Sequence, residues 1–216
     1  HAVGYHWGTT GIGFDLSRLE ELAPDAPADS WKLIYDPKVV AQMAGCGLSV
    51  VDAPSEVIAT ALMAMGKDPN DLSPESLSAA EKLLLGMRPS VRKIDYLTQI
   101  EDLANGSQCL LLTWPADVIR ARVSARESGR EVDFRYVIPK EGTIRWIDTL
   151  TIPADAPNRA EAHAFIDFLM HADVAARNAN FIGTPSANSA ALPMIDEALR
   201  TDPNVYPTAE GRAKLV

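Results

Sequence analysis

Trp114-Pro115-Ala116-Asp117 and Trp146-Ile147-Asp148 each set an indole and a carboxylate a few residues apart at the end of an apolar run. An indole face attracts a cation through its quadrupole, and a carboxylate takes an ammonium N–H as a charge-assisted hydrogen bond. Two such pairs suit a ligand that carries more than one ammonium. Each pair also has an ordinary reading, because a tryptophan at a strand end is more often core and an aspartate there is more often a helix cap.

The elements that must position these residues follow an α/β pattern. From Trp31 onward short apolar runs alternate with helical stretches, which predicts a mainly parallel sheet. Leu48 to Val51 reads as a strand. Asp52-Ala53-Pro54-Ser55-Glu56 follows it, then Val57, Ile58, Ala61, Leu62 and Met65 at helical spacing, so Asp52 is the expected cap and Glu56 a first-turn acid. Further helices are expected from about Pro74 to a stop near Gly86 to Pro89, around Leu97 to Ala104, from about Ala116 to Arg126, and over Asn158 to Met170. Cys109 to Thr113, Val132 to Ile138 and Ile144 to Ile152 read as strands, and Tyr5 to Asp15 as one more, its glycines matching no phosphate or dinucleotide loop. On an extended strand residues 146 and 148 share one face while Arg145 and Ile147 point away.

Composition narrows the function classes. The 216 residues are 47% hydrophobic and 23% charged, enough for one large domain or two small ones. A net charge of -9 argues against nucleic acid, whose phosphates need a dense basic patch; the pair Arg120 and Arg122 reads as a solvated helix face. No apolar run approaches the roughly 18 residues of a membrane helix, so the chain is not expected to be membrane-embedded. It opens on His1 and not methionine, which predicts a processed start. The four histidines show no metal-ligand spacing, and neither a metal nor a cofactor is expected. Cys46 and Cys109 each precede a strand-like run. They can bridge if those strands are neighbours, although spacing alone favours two buried free thiols.

The chain resembles the periplasmic polyamine-binding proteins that serve ABC importers, in particular their putrescine-binding branch. The matching segments include Tyr5-x-Trp7-x-Thr9-Thr10, Asp29-Ser30-Trp31, Cys46-Gly47-x-Ser49, Asp52-Ala53-Pro54-x-Glu56-Val57 and Gly66-Lys67-Asp68-Pro69-Asn70. They continue through Asp102-Leu103-Ala104-Asn105-Gly106, Trp114-x-x-Asp117-Val118, Ile138-Pro139-Lys140-Glu141-Gly142, Asp148, Pro153-Ala154-Asp155-Ala156 and Tyr206-Pro207. The similarity runs in order over essentially the whole chain.

That resemblance implies an α/β fold of the type II periplasmic-binding-protein kind, mostly lobe two plus returning pieces of lobe one. Residues 1–145 would be mainly lobe two, 146–188 a crossover and lobe-one segment, and 189–216 a C-terminal segment returning toward lobe two. The family's first lobe-one segment would be missing. The helix over Asn158 to Met170 would then expose apolar residues such as Phe165 or Leu169, or be covered by a second chain. The periplasmic compartment implies a Cys46–Cys109 disulfide. Carried over by motif, Glu56, Trp114, Asp117, Trp146 and Asp148 would be ligand-binding, together with Thr184 where the family can place a tyrosine; that aromatic wall would be either lost or taken over by Phe181. The implied function is capture of putrescine or spermidine and delivery to the permease subunits of an ABC importer, with no enzymatic activity. The alternatives are an α/β enzyme acting on an amine, for which no nucleophile elbow or cofactor loop is visible, and a polyamine sensor without a transport role.

Overall fold

The computed structural model describes residues 2–216. Its strands are β1 (Ala2–Thr9), β2 (Gly11–Asp15), β3 (Leu48–Val50), β4 (Val91–Ile94), β5 (Leu110–Thr113), β6 (Phe134–Val137) and β7 (Arg145–Thr151). Five of them form one sheet in the order β4-β3-β5-β2-β6, and β1 with β7 makes a separate two-stranded ribbon.

All four residues of β5 are buried because both faces of the sheet are covered, which turns its sequence into a continuous apolar run instead of an alternating one. Alternation survives in where the side chains go. Leu110 and Leu112 join Ile12, Phe14, Leu48, Trp31 and Leu62 on one face, whereas Leu111 joins Phe134, Tyr136, Val118 and Ala121 on the other. Helices Pro54–Ala64 and Pro74–Met87 cover the first face, Gln99–Asn105 and Pro115–Glu127 the second.

β3 runs parallel to both β4 and β5, whereas β2 is antiparallel to both β5 and β6. The expected mainly parallel sheet is therefore mixed. The cause is the route of the chain: β2 follows the ribbon after Thr10 alone and enters where β5 ends, Gly11 lying opposite Thr113, so it must run back against β5. The stretch read as a single strand from Tyr5 to Asp15 is thus two strands in two sheets.

The same register brings the cysteines together. Leu48 pairs with Leu110, which sets Cys46 and Cys109 side by side at the starts of neighbouring parallel strands, and they form a disulfide with a Cα–Cα distance of 5.6 Å. The free-thiol reading favoured by spacing is set aside, and the implication of the resemblance stands. Asp52 is not a cap: the helix begins at Pro54, so the capping position falls to Ala53, one residue later. Strand β4 follows the proline turn Arg88–Ser90 and had no counterpart in the sequence reading.

Around the ribbon the packing is lighter. Helix Ala172–Ile182 and the 3-10 turn Ser189–Met194 share a small core of Ala175, Ala176, Ala179, Ala191 and Ile195. Helix Arg159–Leu169 buries no residue at all, and Phe165 is 61% exposed, as the resemblance implied.

Candidate functional site

β3 and β5 are adjacent and parallel, so the helices that follow them start at the same edge of the sheet, the edge where α/β proteins gather ligands. Helix Pro54–Ala64 brings Glu56 there in its first turn, and helix Pro115–Glu127 brings Asp117, with Trp114 at the joint between strand and helix. The ribbon leaves the sheet at this edge too, so β7 stands across from both helix starts.

A cavity of about 290 Å³ forms between them, lined by Glu56, Trp114, Asp117, Trp146, Asp148 and Thr184 together with Pro115, Ala116, Arg120 and Ile182. All six residues carried over by motif meet in it, from positions spread over more than half the chain. The face rule holds on β7: Trp146 and Asp148 line this cavity, while Arg145 and Ile147 line a recess on the opposite side with Trp7. Phe181 does not line the cavity and is 89% exposed, so it is no substitute wall; Thr184 is the buried residue at that end. Helix Ala172–Ile182 ends on Gly183 at φ 81°, a left-handed cap that turns the chain inward and seats Thr184.

The two indoles meet edge to face with centroids 6.4 Å apart, and Tyr96 continues the row 6.4 Å beyond Trp114. Trp146 pairs across the ribbon with Gly8, and a β-carbon on Gly8 would fall 2.3 Å from the indole ring. Glycine at position 8 is what lets the ring lie flat against β1. The Glu56 carboxylate accepts the Trp114 indole N–H at 2.9 Å and the Thr10 hydroxyl, which locks both the acid and the ring. Thr10 is itself held by Thr143, whose hydroxyl donates to the Thr10 carbonyl.

Electrostatically the cavity is one-sided. Three carboxylates face a single guanidinium, that of Arg120, and none of the ion pairs among the described residues uses Glu56, Asp117 or Asp148. Burial pushes the Asp117 carboxyl up to about 6, against the pull of the Thr113 hydroxyl at 2.9 Å and of Arg120. A carboxylate desolvated to that degree is stabilised by a cation brought to it. Aromatic walls beside it suit the methylenes of an organic cation.

Sequence reasoning missed Thr10, Gly8 and Tyr96, and it placed Arg120 on a solvated face although that side chain reaches the rim of the cavity. The signal for Gly8 lay in the ribbon register, which pairs positions about 140 apart, and Thr10 follows the last pair of that register.

The α/β body thus carries an acidic, aromatic-walled cavity at the carboxyl edge of its sheet, the place where α/β proteins hold ligands. The chain belongs to the family of bacterial extracellular solute-binding proteins, whose model matches residues 1–202. It is 40% identical over 216 residues to the putrescine-binding periplasmic protein PotF of Escherichia coli, covering 99% of this chain and 58% of that one. To the putrescine/agmatine-binding protein of Pseudomonas aeruginosa it is 36% identical, covering 100% of this chain and 59% of the relative. A solved structure from Listeria monocytogenes superposes with a TM-score of 0.85 at 27% identity, over 100% of this chain and 62% of that one. The substrate-binding protein PotD of Streptococcus pneumoniae gives a TM-score of 0.77 at 23% identity, over 99% and 61% of the two chains, a likeness of fold. The chain thus spans somewhat under two thirds of the length of the proteins it matches.

Proposed function

We propose that this chain carries the acidic half of a polyamine-binding site, and that the protein it belongs to captures a diamine or longer polyamine outside the cytoplasm and hands it to an ABC importer. The observation that carries the reading is the convergence of Glu56, Asp117 and Asp148 with two indoles in one cavity, where Asp117 is desolvated and without an ion-pair partner. Asp117 and Asp148 take ammonium groups, Glu56 orients Trp114 and adds negative charge, and Trp114 and Trp146 flank the methylene chain. Thr184 supplies a hydroxyl at the far end of the cavity. The names of the relatives in Escherichia coli and Pseudomonas aeruginosa support putrescine as the first ligand to try.

The division into lobes belongs to the same proposal. Residues 1–145 would be mainly lobe two, 146–188 the crossover and a lobe-one piece, and 189–216 a return toward lobe two, with the β1–β7 ribbon as the hinge between lobes. The relatives and the disulfide, which persists where thiols are oxidised, support a periplasmic setting for this reading, with permease subunits as the partners.

Calorimetric titration of putrescine, spermidine and spermine into the full-length protein tests this. Saturable binding with one site and no chemical change in the recovered amine is the expected result. Turnover of the amine would favour an enzyme, and absence of heat with all three would remove the assignment.

A further inference from the structure

The ribbon carries a residue that neither the motif nor the cavity lining includes. Trp7 pairs with Ile147 and Gly8 with Trp146, but Gly4 pairs with Thr149, so Tyr5 and His6 together stand opposite the single residue Asp148. That is a β-bulge, a device that re-aims a side chain beside a site. His6 lies on the same side of β1 as Gly8, against which Trp146 rests, and it is buried to 4% exposure. Its Nδ1 lies 3.3 Å from the Pro185 carbonyl, so in the neutral ring Nδ1 holds the proton and donates it there. The other nitrogen, Nε2, is buried with no partner.

We infer that His6 is a positioning residue for Asp148: while neutral it leaves the carboxylate free for a ligand ammonium, and when protonated its second N–H draws Asp148 away and places a like charge against the ligand. The inference rests on the polyamine reading of the cavity. The groups facing the ring are few. Asp148 on β7 acts on it through its charge, the Pro185 and Thr184 carbonyls face it from the loop after helix Ala172–Ile182, and the Tyr5 ring lies edge-on at 4.1 Å on its own strand. Burial lowers the imidazole below its ordinary range while the two carbonyls and Asp148 raise it, so at neutral pH the ring is uncharged. A bound ammonium beside Asp148 cancels the one carboxylate that favours His6 in its charged form. Ligand and proton therefore exclude one another by reciprocal linkage.

Two measurements on the full-length protein decide this. The first is the His6 ring titration followed by NMR with and without saturating putrescine. A further downward move of about one unit with ligand is expected, equivalent to about tenfold in affinity. The second is putrescine affinity at pH 7.5 and 5.0 for wild type and His6→Asn, which keeps a donor toward Pro185 but cannot be charged. Because Asp117 also protonates in this range, both proteins lose affinity on acidification; the wild-type loss should exceed that of the variant, by up to about tenfold as the ring becomes fully protonated. Equal losses, or a ring titration indifferent to putrescine, would overturn the inference while leaving the polyamine site intact. Absence of putrescine binding at pH 7.5 would remove the reading beneath it, and the inference with it. Should His6→Asn fold poorly, the wild-type ring titration stands alone, joined by ligand-free Asp148→Asn, in which His6 should titrate lower than in wild type.

Discussion

Helices Pro54–Ala64 and Arg159–Leu169 have the same length, 11 residues each, and both carry apolar side chains at helical spacing. The first buries Ala59, Thr60, Ala61, Leu62 and Met63; the second buries nothing. Sequence patterning records that a helix has an apolar face and says nothing of what meets it. For Pro54–Ala64 the partner is the five-stranded sheet, supplied by the same stretch of chain. For Arg159–Leu169 the described residues supply only a partial one: Ala162, Ile166 and Leu169 are half-buried beside helix Ala172–Ile182, whereas Phe165 and Phe168 point outward at 61% and 52% exposure. The molecule thus divides into a body that completes its own core and a ribbon-bearing part that does not. The candidate site lies on the seam between them, with Glu56, Trp114 and Asp117 from the body and Trp146, Asp148 and Thr184 from the other part.

The sharpest way to break this contrast is to remove core from the body. Leu62 is fully buried among Trp31, Tyr35 and Leu48, and Leu62→Ala should cost about 2–5 kcal/mol, the usual loss when a leucine leaves a cavity behind. Urea unfolding followed by tryptophan fluorescence reads it, since Trp31 lies in the same core. A loss below 1 kcal/mol would mean that the body is not the close-packed unit described here. Slightly smaller is the disulfide. Cys46→Ser with Cys109→Ser opens a link across 63 positions and should lower stability by about 2–4 kcal/mol in the same assay. Near-UV circular dichroism of the ribbon tryptophans, Trp7 and Trp146, should change little if the effect stays within the body.

How much of this could be read beforehand differs between the two parts for a physical reason. In the body, local chemistry announces each element: proline at the first helical turn after a buried strand marks both Pro54 and Pro115, so Glu56, Trp114 and Asp117 could be placed at strand ends from sequence. Helices Pro74–Met87, Gln99–Asn105 and Pro115–Glu127 lie within one or two residues of their expected bounds. Strand β4 was missed because Arg92 and Ile94 are exposed on a sheet edge, where the apolar signal is thin. In the ribbon, meaning lies in pairing. That Gly8 makes room for Trp146, or that His6 faces Asp148, depends on a register between strands about 140 positions apart, which no local pattern encodes. The break at Thr10 escaped notice for the same reason. Asp52 is the reverse case, a strong capping residue displaced from its role by one position.

Asp117 sharpens the comparison at the seam, because there stability and binding pull in opposite directions. Its folded-state value of about 6 lies above that of an unfolded aspartate, so the ionised form disfavours folding. The penalty is fully present above about pH 6 and disappears as pH falls toward 4, the reverse of an aspartate held by an ion pair. Asp117→Asn should therefore stabilise the ligand-free protein by about 2 kcal/mol at pH 7.5 and by nearly nothing at pH 4, read as thermal midpoints at the two values. The same substitution should weaken polyamine binding by about 1.5–3 kcal/mol, the loss of one charge-assisted hydrogen bond. A variant that loses stability at pH 7.5 would place Asp117 in the structural framework and not in the ligand cage.

The smallest effect is expected on the outer face of helix Arg159–Leu169. A side chain already 61% exposed gives up little when it is shortened, because it had little surface left to return to water. Phe165→Ser should move the stability of the 216-residue chain by no more than about 0.5 kcal/mol, against several for Leu62→Ala in a helix of equal length. Equilibrium unfolding in urea, with the denaturant slope unchanged, is the appropriate reading, since a changed slope would signal altered compactness and not lost contacts. Serine at this position also breaks up an apolar patch made with Phe168, so the variant should associate less at high concentration, which sedimentation velocity detects. A stability loss of 2 kcal/mol or more would show that something covers this face after all, and the contrast between the two helices would then be one of partner and not of packing.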